Sequence, residues 1–169
     1  MSTYVLIHGA WHTGRELEPV AKLVEAVGHR VFTPTIMGNR PGDPKVVGLP
    51  QAIGSIVDCL VQNDLEDVIL LGHSYGGMVI TGVADKAPER IRRLVYWNAF
   101  VPQDGESLTD MLPPHYVELF EKKRGGAWRR LDRSAVCHLA GSVYQRRGPR
   151  YRAAYIRALE PASVQDPHG

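Results

Sequence analysis

Short apolar runs alternate with helical patterns along the first hundred residues of the chain. Four apolar runs predict buried β-strands, at residues 4–7, 30–33, 68–72 and 91–97. Between them, apolar residues recur at helical spacing and predict helices, at residues 17–27, 52–61 and 76–86. Strands that alternate with helices in this way form βαβ units. We therefore expect an α/β fold with a doubly wound, mostly parallel sheet.

The regular pattern ends near residue 124, and the composition changes there. Residues 1–124 carry 12 Lys and Arg against 15 Asp and Glu, whereas residues 125–169 carry eight Arg, no Lys and three acids. No clear strand pattern follows residue 127. We therefore divide the chain into a core at residues 1–124, whose sheet is truncated after about four strands, and an irregular Arg-rich tail at residues 125–169.

Other global features restrict the class of protein. A chain of 169 residues is long enough for one domain with a real hydrophobic core. The two cysteines, Cys59 and Cys137, have no metal-ligand spacing, so we expect reduced thiols. No signal peptide precedes the first predicted strand, and no apolar run is long enough to span a bilayer. The sequence therefore predicts a cytoplasmic protein without a membrane partner.

The strongest chemical signal follows the third predicted strand. Four apolar residues lead into Gly72-His73-Ser74-Tyr75-Gly76, and a helical pattern follows directly. This is the G-x-S-x-G nucleophile elbow in its context of strand, sharp turn and helix. Its glycines leave room for the turn, and the start of the helix offers N–H groups to a developing oxyanion. The pattern predicts that Ser74 is a nucleophile; the alternative is an ordinary turn that contains a serine.

A glycine-containing loop also follows the first predicted strand, and it reads His8-Gly9-Ala10-Trp11-His12-Thr13-Gly14. Glycines after a strand permit a close approach of the backbone. Taken alone, the loop is a plain connection between a strand and a helix. Together with a nucleophile elbow elsewhere in the chain, it is better interpreted as a loop that aims a backbone N–H group at the oxyanion.

These two loops resemble the signature loops of the α/β-hydrolase fold. The similarity is greatest to a small branch that contains plant methyl-ester esterases and hydroxynitrile lyases, with bacterial relatives, and it covers residues 3–124. Residues 98–102 and 111–120 resemble the stretch that leads into the cap of that branch. The resemblance implies a sheet of the α/β-hydrolase type.

The resemblance also implies roles for individual residues. Ser74 would be the nucleophile, and the backbone N–H groups of Ala10 and Tyr75 would form the oxyanion hole. Four side chains would line the substrate pocket: Trp11, His12, His115 and Tyr116. We interpret His73 as a packing residue, because adjacent residues on the elbow point in different directions, and His8 as an organiser of its loop.

A serine hydrolase of this family also needs a base and an acid, in the chain order Ser, Asp or Glu, His. The histidines that follow Ser74 are His115, His138 and His168. Acids are available by position only, at Asp104, Asp132 and Asp166. No triad is assigned from the sequence.

Two explanations of the Arg-rich tail stay open. With chosen codons, residues 137–150 and 156–169 can be rewritten in one shifted reading frame as sequence that resembles the family, which favours a frameshift near residues 124–127. Alternatively, the arginines and the aromatic residues between them bind nucleic acid through phosphate contacts and stacking. No recognised nucleic-acid motif lies among them, so we expect no nucleic-acid partner.

The sequence thus predicts an esterase-like serine hydrolase that acts on a small carboxylic ester or a related acyl substrate. Hydroxynitrile cleavage uses the same fold, but the sequence places no lysine in the pocket for that chemistry. Because the base and the acid are not identified, the alternative is an inactive remnant or a small-ligand-binding protein. We expect no cofactor and no metal. A truncated sheet leaves an apolar edge, so we also expect self-association through that edge.

Overall fold

The computed structural model describes residues 1–44 and 46–118. The predicted tail at residues 125–169 lies outside the described residues, and so do Cys137, His138 and His168. The predicted division of the chain at residue 124 lies outside them as well.

Four parallel strands form one sheet in the described part of the chain. They are β1 (Thr3–Ile7), β2 (Arg30–Phe32), β3 (Val68–Ser74) and β4 (Ile91–Ala99). Their order in the sheet is β2-β1-β3-β4, and every neighbouring pair is parallel. The carboxyl ends of all four strands therefore meet at one edge. The predicted α/β fold with a doubly wound, parallel sheet is confirmed.

Three helices connect the strands: α1 (Glu18–Ala26), α2 (Leu49–Gln62) and α3 (Gly76–Lys86). Short 3₁₀ turns precede α1 and β4, at Gly14–Leu17 and Pro88–Arg90. The chain leaves α1 through Gly28, whose φ of 87° is the left-handed conformation that glycine adopts after a helix. Within the described residues, no helix is both long and apolar enough to cross a membrane.

Alternate residues of the central strands face two different helical layers. Val5 of β1 and Leu70 of β3 are fully buried in the larger core, which also contains the buried faces of α2 and α3. Leu6 points to the opposite side and packs with Leu17 and Ala21. One face of the sheet is therefore covered by α1 and the other by α2 and α3.

This arrangement creates a topological switch point between β1 and β3. From β1, the chain first moves outward to β2 and then crosses over to β3 and β4 on the other side. The connections that leave β1 and β3 consequently run to opposite faces of the sheet. In open α/β sheets, ligands bind in the crevice at the carboxyl ends of two such strands.

Strand β4 lies at one end of the sheet and is less well covered. Leu94 and Tyr96 pack against the larger core. Trp97 points to the opposite face and is 46% exposed, and the cluster under α1 includes no β4 residue among those described. The outer edge of β4 pairs with no strand in the described part of the chain.

Candidate active site

The turn between β3 and α3 has the strained geometry of a nucleophile elbow. Ser74 is the last residue of β3, its φ is 54°, and α3 begins two residues later. A left-handed serine costs about 1–3 kcal/mol and persists only where the surrounding structure enforces it. A methyl group built on Gly72 would lie 2.6 Å from the Gly76 carbonyl oxygen, and one on Gly76 would lie 2.6 Å from the Ile7 carbonyl oxygen. Both glycines are therefore required for the turn.

The loop after β1 lies directly against this turn. We call residues 8–13 the β1 loop. A methyl group built on Gly9 would lie 3.1 Å from Ser74 Cβ and 3.5 Å from Ser74 Oγ. The pairing of β1 with β3, with Ile7 opposite Gly72, is what brings the two segments together. The structure thus places the two glycine-containing loops that the sequence singled out at one point of the sheet edge.

The two predicted oxyanion donors lie on these two segments. Ala10 follows Gly9 in the β1 loop, and Tyr75 follows Ser74 at the start of α3. Among the described residues, neither backbone N–H group donates a hydrogen bond. The Tyr75 side chain packs against the larger core, and burial raises the pKa of its phenol, so the ring is neutral.

The end of β4 supports the turn from the other side. His73 pairs with Trp97 and Ser74 pairs with Ala99, so Asn98 is the extra residue of a β-bulge, with a φ of 44°. The Phe100 N–H group then donates a hydrogen bond to the Ser74 carbonyl oxygen, at 3.1 Å. This support is not among the features predicted from the sequence. The signal was Asn98 itself, because asparagine tolerates left-handed backbone better than most residues.

Two histidines near Ser74 contact other parts of the fold: His73 contacts an aromatic ring, and His8 contacts backbone groups. The His73 ring contacts the Trp97 ring, with centroids 5.0 Å apart. His8 is 1% exposed, its Nδ1 lies 2.8 Å from the Gly9 carbonyl oxygen, and its Nε2 lies 3.0 Å from the Ile36 backbone nitrogen. Burial lowers the pKa of His8, so its imidazole is neutral at pH 7.

The predicted pocket residues occupy two segments. In the β1 loop, Trp11 is 62% exposed with a φ of 61°, and His12 Nδ1 lies 2.9 Å from the Ala10 carbonyl oxygen. His115 and Tyr116 lie in a helical turn at residues 114–118, and their rings contact each other at a centroid distance of 4.6 Å. Among the described residues, no hydrogen bond joins His115 or Tyr116 to Ser74.

Within residues 1–44 and 46–118, the Ser74 hydroxyl makes no hydrogen bond to a histidine or a carboxylate. The same residues contain no group of three His, Cys, Asp or Glu side chains that could hold a metal ion. Cys59 is a free, partly buried thiol on α2, and burial raises its pKa. The described part of the site therefore offers a strained serine and two unused backbone donors.

Known proteins with similar sequences include hydrolases and a lyase. Residues 4–168 match the model of the alpha/beta hydrolase family. The chain is 48% identical over 118 residues to the carbendazim hydrolyzing esterase of Nocardioides sp. (strain SG-4G), a match that covers 67% of this chain and 48% of that enzyme. It is 30% identical over 128 residues to the alpha-hydroxynitrile lyase of Arabidopsis thaliana, which covers 73% of this chain and 47% of the lyase.

A solved structure agrees with these matches. It is an extracellular alpha/beta-hydrolase from a Paenibacillus species that shares structural and functional homology with tobacco salicylic acid binding protein 2. The TM-score is 0.72 at 40% identity, and the match covers 75% of this chain and 52% of that one. The chain spans about half the length of the relatives it matches. The resemblance to the branch of small esterases and hydroxynitrile lyases is confirmed.

Proposed function

The chain belongs to the alpha/beta hydrolase family, and from this premise we propose that it is an esterase-like serine hydrolase for a small carboxylic ester or a related acyl substrate. Ser74 Oγ attacks the carbonyl carbon while a base takes the serine proton. The carbonyl oxygen becomes an oxyanion and accepts hydrogen bonds from the Ala10 and Tyr75 N–H groups. The base gives this proton to the alkoxide, which leaves as the alcohol; the base then takes a proton from water, which attacks the acyl group and releases it from Ser74 as the acid.

The observation that carries this proposal is the position of Gly9 against a left-handed Ser74. The φ of 54° turns the serine out of the strand, and the β1 loop passes so close to it that a methyl group added to Gly9 would contact its side chain. A tetrahedral intermediate on Ser74 Oγ would then lie beside both backbone donors. Preorganised donors of this kind lower the barrier because they need no rearrangement when charge develops.

The substrate pocket in this proposal is formed by Trp11, His12, His115 and Tyr116. Within the β1 loop, the exposed Trp11 ring offers an apolar surface. The general base in this proposal is a histidine that follows Ser74 in the sequence. Two of the three candidates, His138 and His168, lie outside the described residues. No cofactor takes part in the proposed reaction.

A lyase is the nearest chemical alternative, because one relative is a hydroxynitrile lyase. Lys22 lies in the middle of α1, and Lys86 ends α3, about 15 Å along the helix axis from its first residue. Neither lysine of the described residues lies at the carboxyl edge of the sheet, which favours the hydrolase. A second alternative is an inactive hydrolase-fold protein that binds a small ligand, and it is favoured by the absence of a hydrogen-bonded base among the described residues.

Labelling with a fluorophosphonate probe tests the proposal, because the probe reacts only with an activated serine. The full chain should be labelled, and peptide mapping should place the adduct on Ser74. The Ser74→Ala variant should not be labelled, whereas Ser2→Ala, which removes a serine hydroxyl at the opposite, amino end of the sheet, should react like the wild type. An unlabelled wild type that is folded by circular dichroism would favour the inactive protein instead.

Self-association through β4 is part of the same proposal. It is supported by the unpaired outer edge of β4 in the described residues and by the 46% exposure of Trp97. Light scattering after gel filtration should show a dimer or a larger species, and a monomer at micromolar concentration would contradict it.

A cytoplasmic location also stays a proposal, and one similar protein is extracellular.

A further inference from the structure

The buried imidazole of His8 joins two segments that are far apart in the sequence. Its Nε2 lies 3.0 Å from the Ile36 backbone nitrogen, and its Nδ1 lies 2.8 Å from the Gly9 carbonyl oxygen. A backbone N–H group can only donate, so Nε2 is the acceptor. Nδ1 therefore carries the proton and donates it to the Gly9 carbonyl oxygen. Neutral imidazole in this one tautomer satisfies both contacts.

Two further hydrogen bonds tie the same stretch of chain to the segment that follows β2. The Asn39 side-chain amide donates to the His12 carbonyl oxygen at 2.8 Å. The Thr35 hydroxyl oxygen accepts a hydrogen bond from the Gly14 N–H group at 3.0 Å. Residues 35–39 thus contact residues 8–14 at three points, which are His8, His12 and Gly14. His8, which precedes Gly9 in the chain, provides the contact that is buried in the protein interior.

We propose that His8 is a positioning residue for the oxyanion site, and that its hydrogen bond to the Ile36 N–H group holds Gly9 and Ala10 against Ser74. This inference rests on the proposed hydrolase function. The hydrogen bond to Gly9 is local to the loop and only orients the ring. The bond to Ile36 connects the loop to another element, so it sets the distance between the Ala10 N–H group and Ser74.

The electrostatics agree with this role. Burial lowers the pKa of His8, and the neighbouring His12 lowers it further, while Glu16 and the bond to Gly9 act in the opposite direction. Protonation would convert Nε2 into a donor that faces the Ile36 N–H group. Two donors would then meet in a buried space, and the contact between the two segments would be lost.

Two amide substitutions separate the contacts of His8. The His8→Gln variant places an acceptor where Nε2 lies and keeps the bond to Ile36. The His8→Asn variant places a donor where Nδ1 lies and keeps only the bond to Gly9. We expect His8→Gln to react with the fluorophosphonate within about threefold of the wild-type rate. We expect His8→Asn to be slower by about tenfold to a hundredfold, the range that a loop displacement of up to about 1 Å produces.

The kinetic pattern with an ester substrate distinguishes positioning from simple destabilisation. The oxyanion forms only in the transition state, so in His8→Asn kcat should fall while KM stays within about twofold. Rescue of kcat by His8→Gln should accompany this result. Equal rates in the two variants, or a faster His8→Asn, would overturn the role assigned to the Ile36 bond.

A measurement without catalysis tests the same geometry in the wild type. Ring ¹⁵N spectra at neutral pH should show His8 with Nδ1 protonated and Nε2 unprotonated, and His8→Gln should remove that signal. The backbone amide signal of Ala10 should move in His8→Asn and stay in His8→Gln. The opposite tautomer, a charged ring, or equal Ala10 shifts would overturn the proposal. A wild type that is not labelled at Ser74 but passes this test would overturn the hydrolase function instead.

Discussion

The close contact between α3 and the end of β4 makes Gly77→Ala the most informative substitution in the fold. A methyl group built on Gly77 would lie 2.1 Å from the Phe100 carbonyl oxygen and 2.9 Å from Ala99 Cβ. A carbonyl oxygen of the backbone cannot rotate away as a side chain would, so α3 or the chain after β4 must move by about 1 Å. Overpacking of this kind costs about 1–3 kcal/mol. We expect the free energy of unfolding to fall by about 2 kcal/mol.

The displacement should also reach Ser74, because the Phe100 N–H group donates to the Ser74 carbonyl oxygen. Any outward movement of Phe100 weakens that hydrogen bond and loosens the strained turn. We therefore expect Gly77→Ala to slow fluorophosphonate labelling by about tenfold or more, since small displacements of a reacting group carry large rate penalties. Stability and reactivity should decrease together.

The chain contains a matched control in Gly54, which lies inside α2. A methyl group built there has no neighbour within 4 Å, and Gly54→Ala should stabilise the protein by about 0.5–1 kcal/mol, because alanine is the better helix residue. Urea unfolding followed by circular dichroism measures both variants in the full chain. If Gly77→Ala were as stable as Gly54→Ala, the contact between α3 and Phe100 would not exist at the distance described.

Three further predictions test the core, the buried histidine and the β1 loop. Leu70→Ala removes a fully buried side chain from β3 and should cost about 2–5 kcal/mol in urea unfolding; a loss below 1 kcal/mol would contradict the described core. The pKa of His8 is lowered in the folded state, so the unfolded chain binds the proton first, and the free energy of unfolding should decrease as the pH falls below about 6.5. His8→Gln should show a smaller decrease than the wild type between about pH 7.5 and pH 5.5, and equal slopes would refute this linkage. Trp11→Gly should be about 1 kcal/mol more stable than Trp11→Ala, because both remove the ring and only glycine relieves the φ of 61°; equal melting curves would contradict that backbone conformation.

Much of the fold could be predicted because its signals are local in the chain. The helix pattern at residues 76–86 and the observed α3 agree at both ends. The strand predicted at residues 68–72 extends in the structure to Ser74, since the glycine-rich turn still pairs with β4. The sharp turn at Ser74 was predicted from the G-x-S-x-G spacing, which depends only on residues within one turn of each other.

The supports of the site could not be predicted in the same way. The bulge at Asn98 exists because β4 pairs with a strand that ends in a left-handed serine, and pairing partners are not visible in either segment alone. The hydrogen bond from Ile36 to His8 joins the segment after β2 to the loop after β1, and the two residues are 28 positions apart in the chain. Sequence periodicity carries no information about such contacts.

The sequence by itself determined the alternation of strands and helices, the elbow at Ser74 and the glycine-containing loop after β1, because hydrophobic spacing and turn chemistry act between near neighbours. Tertiary structure alone decided that these two loops meet. The strand order β2-β1-β3-β4 brings Gly9 to Ser74 across more than sixty residues of chain. The physical reason is that the crossover between β2 and β3 selects which strands pair, and pairing then fixes which loops share the carboxyl edge of the sheet.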